Sequence, residues 1–203
     1  MGFTKPIEQL LLSYQGTINV SEIYYTRNYN MICIGEKNKF ALEFEDTSVS
    51  IFRCWIKGIN ACAYIYDNER YDCHCHISDI IQWFIDCYDI IVSDDNYPLG
   101  IEAKNALEFY NKSGEFESDD IDIFDEWYTT RQEWYFRHSF YWCRRNEYLP
   151  DIFFEKKGNY INIIWDMVDL YNDVKYIYPQ GDYLINISDF CEVINEFIKY
   201  KEV

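Results

Sequence analysis

The sequence predicts an α+β fold, with internally duplicated hairpin–strand–helix units whose antiparallel sheets carry helices packed on one face. Three observations carry this expectation. Short segments such as Ala41-Leu42-Glu43-Phe44-Glu45 alternate apolar and polar residues with the period of a half-buried strand. Other segments repeat apolar residues at helical spacing, as Ile80, Ile81, Phe84, Ile85 and Tyr88 do. The chain also matches itself at an offset of 110 residues, with nine identities between residues 40–88 and 150–198 and no gap. Chance would give roughly three or four in so biased a composition.

Taken in order, residues 1–39 predict a short helix near 7–14, then strands at 17–25 and 31–35. The first repeat runs from a strand at 41–45 through a turn at Asp46-Thr47-Ser48 to a returning strand at 49–56 and a third at 71–77. The second copy has strands at 152–155 and 160–165, joined by Gly158-Asn159, and a third at 183–187. The matched residues include Phe44 with Phe154, Glu45 with Glu155, Ile51 with Ile161 and Trp55 with Trp165. Each copy closes with a helix. Ser78 or Ser188 is the expected N-cap, and Asp79 or Asp189 places negative charge in the first turn. Between the copies, 101–111 predicts one helix, 114–120 a loop, and about 121–145 a longer helix that ends before Pro150. The first half, 1–100, and the second, 101–203 with its helical insert 101–148, are expected to form one globule.

Composition narrows the function. The 203 residues carry 35 acidic and 18 basic side chains, a net charge of −17, and 20% are aromatic. So aromatic a chain does not belong with intrinsically disordered ones. The length allows a core without disulfide or metal staples. The charge repels DNA, RNA and anionic membranes, so none of these is an expected partner. No positively charged segment leads into an apolar stretch after Met1, and the longest uncharged run, 9–21, is too short and too polar to span a bilayer. A cytoplasmic location follows as the expectation, with the eight cysteines reduced and mostly buried.

Three constellations stand out. The first is the acidic stretch Glu115, Phe116, Glu117, Asp119, Asp120, Asp122, Asp125 and Glu126, which holds seven carboxylates in twelve residues. It is either a solvated loop leading into a helix start or a docking surface for a cationic protein, with Phe116, Ile121, Ile123 and Phe124 as apolar anchors. It lacks the spacing and central glycine of an EF-hand. The second is a stripe on the long helix, where Trp127, Arg131, Trp134, His138, Tyr141, Trp142 and Arg145 share one side at 100° per residue. Arg131 and His138 either pair with carboxylates of the sheet or line a polar pocket with Trp134. The third is Cys73-His74-Cys75-His76. In a strand its thiols and imidazoles point to opposite faces, so one zinc does not easily take all four. The matched Tyr183-Leu184-Ile185-Asn186 reads as an ordinary strand.

No P-loop, GxGxxG, GxSxG or HExxH pattern occurs, so no reaction and no cofactor is predicted. Trp134-Tyr135-Phe136-Arg137-His138-Ser139, Leu149 to Phe154, Gly158 and Ile161 to Trp165 form a pattern that resembles one in functionally uncharacterised bacterial proteins. In type, an acidic, aromatic-rich chain without catalytic motifs resembles the immunity proteins of bacterial toxin systems and the phage-encoded inhibitors of defence nucleases. That resemblance implies an inhibitor that neutralises a basic protein partner, with carboxylates covering a cationic cleft and aromatics as anchors. The alternative is an enzyme or small-ligand binder with a pocket around Arg131, Trp134 and His138. The oligomeric state stays open.

Overall fold

The computed structural model describes residues 30–47, 49–93, 96–145, 148–168 and 170–202. The elements expected at 7–14 and 17–25 lie outside the described residues. In chain order come β1 (Met31–Glu36), β2 (Phe40–Glu45), β3 (Ser50–Ile56), β4 (Ile59–Asn60), β5 (Ala63–Tyr66), β6 (Glu69–Cys75) and helix α1 (Ile77–Ser93). Helices α2 (Ala106–Ser113) and α3 (Ile121–His138) follow, then β7 (Ile152–Lys157), β8 (Tyr160–Asp166), β9 (Lys175–Tyr176), β10 (Gln180–Asn186) and α4 (Ile187–Phe197). The first sheet has the order β1-β2-β3-β6-β5-β9, with β4 beside β3, and the second has the order β10-β8-β7. Every pairing is antiparallel. The α+β class is as the sequence predicts.

The two matched segments share their strand pairing. In each, a hairpin is followed by a third strand that lies beside the second, giving β2-β3-β6 and β7-β8-β10, and then by a helix. The pairs Leu42–Cys54 and Phe52–Cys73 correspond to Ile152–Trp165 and Ile163–Tyr183. The first and third strands therefore match at an offset of 110, but the second matches at 111. A one-residue shift reverses the side a strand residue faces. Trp165 accordingly points into the main core, whereas the Trp55 indole faces away from it and donates to Glu43. The identities Ile51/Ile161 and Trp55/Trp165 do not mark equivalent positions. Gly181 sits opposite Trp165, and any Cβ there would collide with the indole.

Several boundaries differ from the sequence expectation, each for a local reason. The helix after residue 101 starts only at Ala106, because the Asn105 side chain accepts from the Glu108 N–H at 3.0 Å. Ser188 lies inside α4. The cap is Asn186, whose side chain accepts from the Ser188 N–H at 3.0 Å and its hydroxyl at 2.8 Å. Ser78 likewise falls inside α1. The long helix ends at His138, well short of residue 145. Ser139 is extended, bridges to Phe153 and donates its hydroxyl to Asp151, and a 3-10 turn over Phe140–Cys143 follows. Phe140 is thereby delivered fully buried into the core.

Helix packing crosses between the halves. Helix α4 packs on β1 and β2, and α1 packs on β7. Phe84 of α1 lies where the layers meet, with ring centroids 5.7 Å from Phe140, 5.8 Å from Phe154, 6.4 Å from Phe190 and 6.1 Å from Phe197. Helices α2 and α3 cover the other face of the second sheet, where Phe153 and Ile164 join Phe109 and Trp134. The second sheet is thus covered on both sides, and β8 shows an unbroken buried run from Ile161 to Trp165. On the outer face of the first sheet the buried Glu43 carboxylate accepts from Lys37 at 2.6 Å, Trp55 at 2.8 Å and Arg53 at 3.2 Å. Arg53 also pairs with Asp72 at 2.7 Å. Burial alone raises the Glu43 carboxyl, but these three donors outweigh it and hold the group below its ordinary value.

Two outcomes follow. Phe84→Ala should cost about 3–5 kcal/mol. Because each helix lies on the other half's sheet, far-UV circular dichroism and tryptophan fluorescence should still trace one coincident urea transition, and separate transitions would contradict the crossed packing. A depressed carboxyl stabilises above its unfolded pKa of about 4.3 and loses that contribution as pH falls through the lower folded value. Urea melts at neutral and strongly acidic pH should therefore show the Glu43→Gln variant losing less stability on acidification than the wild type.

Candidate functional site: the acidic face and groove of helix α3

The acidic stretch is presented on a fixed base. Helix α3 begins at Ile121 because the Asp120 side chain accepts from the N–H groups of Asp122 at 3.0 Å and Ile123 at 3.4 Å. The loop before it is held from beneath. The Trp127 indole donates to the Ser113 carbonyl at 2.8 Å, the Tyr128 hydroxyl donates to the Gly114 carbonyl at 2.9 Å, and Phe116 stacks on Trp127 at 4.1 Å. Phe116, which the docking alternative read from the sequence takes as an apolar anchor, thus clamps the loop. Glu115, Glu117, Asp119, Asp120, Asp122, Asp125 and Glu126 are all exposed, and residues 115–126 include no lysine or arginine. Among the described residues no ion pair reaches any of the seven. Ile121 and Ile123 stand exposed between them, at 65% and 52%.

Beside this stretch lies a groove of about 870 Å³ between α1 and α3. Asp125 belongs to both. Further along α3, Tyr128, Gln132, Glu133, Phe136 and Arg137 follow it at helical spacing, while Asp86 and Cys87 come from α1. Trp142, from the 3-10 turn, closes one end. Its ring lies 5.4 Å from that of Phe136, and both are substantially exposed. The helices are fastened below the groove by the Trp83 indole, which donates to the Phe136 carbonyl at 2.8 Å. Burial, with the nearby Asp86 charge adding to it, pushes the Cys87 thiol up to about 12, so it lines the groove as a neutral group.

The stripe read from the sequence faces the other way. Trp134 and His138 are buried, their rings stacked at 4.4 Å, and His138 Nδ1 meets the Trp134 carbonyl at 2.8 Å. Arg131 lies over the Tyr110 ring at 3.8 Å and donates to the Ser113 hydroxyl and the Tyr110 carbonyl, each at 3.0 Å. Arg131, Trp134 and His138 thus hold α3 against α2 and the second sheet, and none of them lines the groove. The alternative of a pocket around them is corrected on that ground, and Arg131 bonds a hydroxyl and a carbonyl of α2 where the other reading has a carboxylate of the sheet. The sequence reading missed Asp86, Glu133, Phe136, Arg137 and Trp142 as groove residues. The signal available was Phe136, a large aromatic on the polar side of the helix.

Cys73 and Cys75 of β6 are buried in the main core, and His74 is exposed, as strand alternation requires. Among the described residues no group of three or more His, Cys, Asp or Glu is placed to hold a metal ion. None of the eight cysteines is joined in a disulfide, and Cys33 is exposed and Cys191 half-buried. No described helix is long and apolar enough to cross a membrane. A cluster of Tyr64, Tyr66, Tyr71 and Tyr148 lies around β5 and β6, with Tyr64 buried and Tyr66 and Tyr71 exposed. Comparison with protein families, with curated proteins and with solved structures finds no match for this chain.

Arg131→Ala should loosen the α2–α3 loop without touching the groove. The expected cost is about 1–3 kcal/mol, from two lost hydrogen bonds and a stacked guanidinium. Limited proteolysis should then cut faster within 114–120, and unchanged cleavage there would contradict the clamp.

Proposed function

We propose that this protein is an acidic binding inhibitor that neutralises a basic protein partner in the cytoplasm, in the manner of a toxin-immunity or anti-defence protein. One observation carries the reading. Seven exposed carboxylates, with no cation among them, run directly into a groove whose rim bears exposed Phe136 and Trp142. Interfaces of this kind divide the work between two sets of groups. Rim charges steer the encounter, while desolvated aromatics supply most of the affinity. The exposed Ile121 and Ile123 add apolar area on the acidic side. Of the 35 acidic residues seven fall within 115–126, a density about three times that of the chain as a whole. That gradient favours steering over mere solubility. The capping contact of Asp120 and the clamp under the loop hold the carboxylates in place before binding, which lowers the ordering cost of association.

The test uses the partner retained from the native host on immobilised protein. Its association rate should fall at least about tenfold between about 150 and 500 mM salt, because exposed charges are screened over that range. Asp119→Lys with Asp122→Lys should slow association at the lower salt while leaving the thermal midpoint nearly unchanged. An association rate indifferent to both salt and charge reversal would refute the proposal.

A further inference from the structure

We infer that the α1–α3 groove receives an arginine-bearing segment of the partner, and that Arg137 selects a segment that also carries an acidic side chain. This rests on the docking reading above and specifies what the groove takes.

The groove's charge and surface set the first half. Asp86, Asp125 and Glu133 give it three carboxylates against the single cation Arg137. Phe136 and Trp142 offer exposed rings at its end, 37% and 47% accessible. A guanidinium lying on an indole while its edge meets carboxylates uses both features at once. Arginine does this better than lysine, because its charge is planar, weakly hydrated and able to donate at the edge while stacked. The volume, about 870 Å³, is that of a pocket for a few side chains.

Arg137 sets the second half. Its Nε is buried and has no hydrogen-bond partner, and among the described residues no hydrogen bond or ion pair reaches its guanidinium. Three carboxylates line the same groove, yet none of them pairs with it. The side chain as a whole is only half-buried, and an acceptor that arrives with the partner can take a charge-assisted hydrogen bond from the terminal nitrogens of the guanidinium. A uniformly cationic segment brings only backbone carbonyls as acceptors, and its charge repels Arg137, whereas an acidic side chain adds a charged acceptor. The groove therefore favours a mixed segment over a purely basic one, a discrimination achieved by a repulsive element as well as an attractive one.

Three short synthetic peptides test this by titration calorimetry at near-physiological salt. One combines arginine and alanine with a single central glutamate. The second replaces each arginine by lysine, and the third replaces the glutamate by arginine. The first should bind with the lowest Kd. Glu133→Gln and Trp142→Ala should each weaken it by about tenfold, and Trp142→Phe should weaken it less. The lysine peptide should bind more weakly. The preference for the glutamate-containing peptide over the all-arginine one should disappear in Arg137→Ala. If Asp119→Asn with Asp122→Asn abolishes binding while the groove variants leave it unchanged, the groove assignment falls and the acidic docking reading stands. If binding ignores both sets of variants and salt, both fall. No saturation at millimolar peptide, or equal preference in wild type and Arg137→Ala, overturns the inference.

Discussion

The burial of Phe140 is the constraint on which the rest of this structure depends. Its ring fills the space between Phe52, Trp83, Phe84 and Phe154, at the junction of the two sheets and α1. To reach that space the chain must leave the α3 helix at His138, and Ser139 takes up the extended conformation that allows it. The turn that carries Phe140 inward carries Trp142 outward, next to Phe136. One core side chain thereby decides where a helix stops, and the place where it stops makes the end of the groove. Aromatic packing of this density has little tolerance for lost volume, which ties the surface feature to the interior.

The polar groups around that junction act in the same direction. Asp151 accepts from the hydroxyls of Tyr135 and Ser139 and pairs with Arg144 at 3.2 Å. Burial first, and the Asp151 charge with its hydrogen bond next, push the Tyr135 hydroxyl far above its usual range, so it remains a donor at any physiological pH. The exit from α3 is therefore fixed by charge-assisted hydrogen bonds on one side and by ring packing on the other. On the same face of the second sheet, at the other end of β7, Glu155 accepts from Tyr97 and, at 3.0 Å, from Asn162, which anchors the segment leading into α2. The α2–α3 pair that displays the acidic stretch is thus held to the second sheet from both ends.

Much of this was legible in the residues. Alternation at 41–45 and the Gly158-Asn159 turn gave both hairpins, and helical spacing gave α1 and α4 to within a residue or two of their starts. Strand pairing agreed with the 110-residue offset except in β3 and β8, because an offset counts positions and cannot see that the second strand of one copy has slipped by one residue. The end of α3 was hidden for a related reason. Residues 139–145 continue an acceptable helical stripe, and only the tertiary demand for Phe140 breaks it. Reading the helix as continuous put Trp142 on the stripe with Trp134 and His138, although Trp142 lines the α1–α3 groove and the other two are buried on another side of α3. The acidic stretch was visible as composition, whereas its clamping by Trp127 and Tyr128 depends on the fold of the loop beneath it.

On the docking reading proposed above, the carboxylates of the α3 face and groove meet the partner. Carbodiimide labelling of carboxyl groups, read by mass spectrometry on the free protein and on its complex with the partner from the native host, addresses it directly. Protection is expected to concentrate at Asp119, Asp122, Asp125 and Glu133, with surface carboxylates elsewhere, such as Glu69 and Asp182, labelled equally in both states. Full labelling of the α3 carboxylates in the complex, with protection appearing instead around Glu69 and the neighbouring tyrosines, would contradict it.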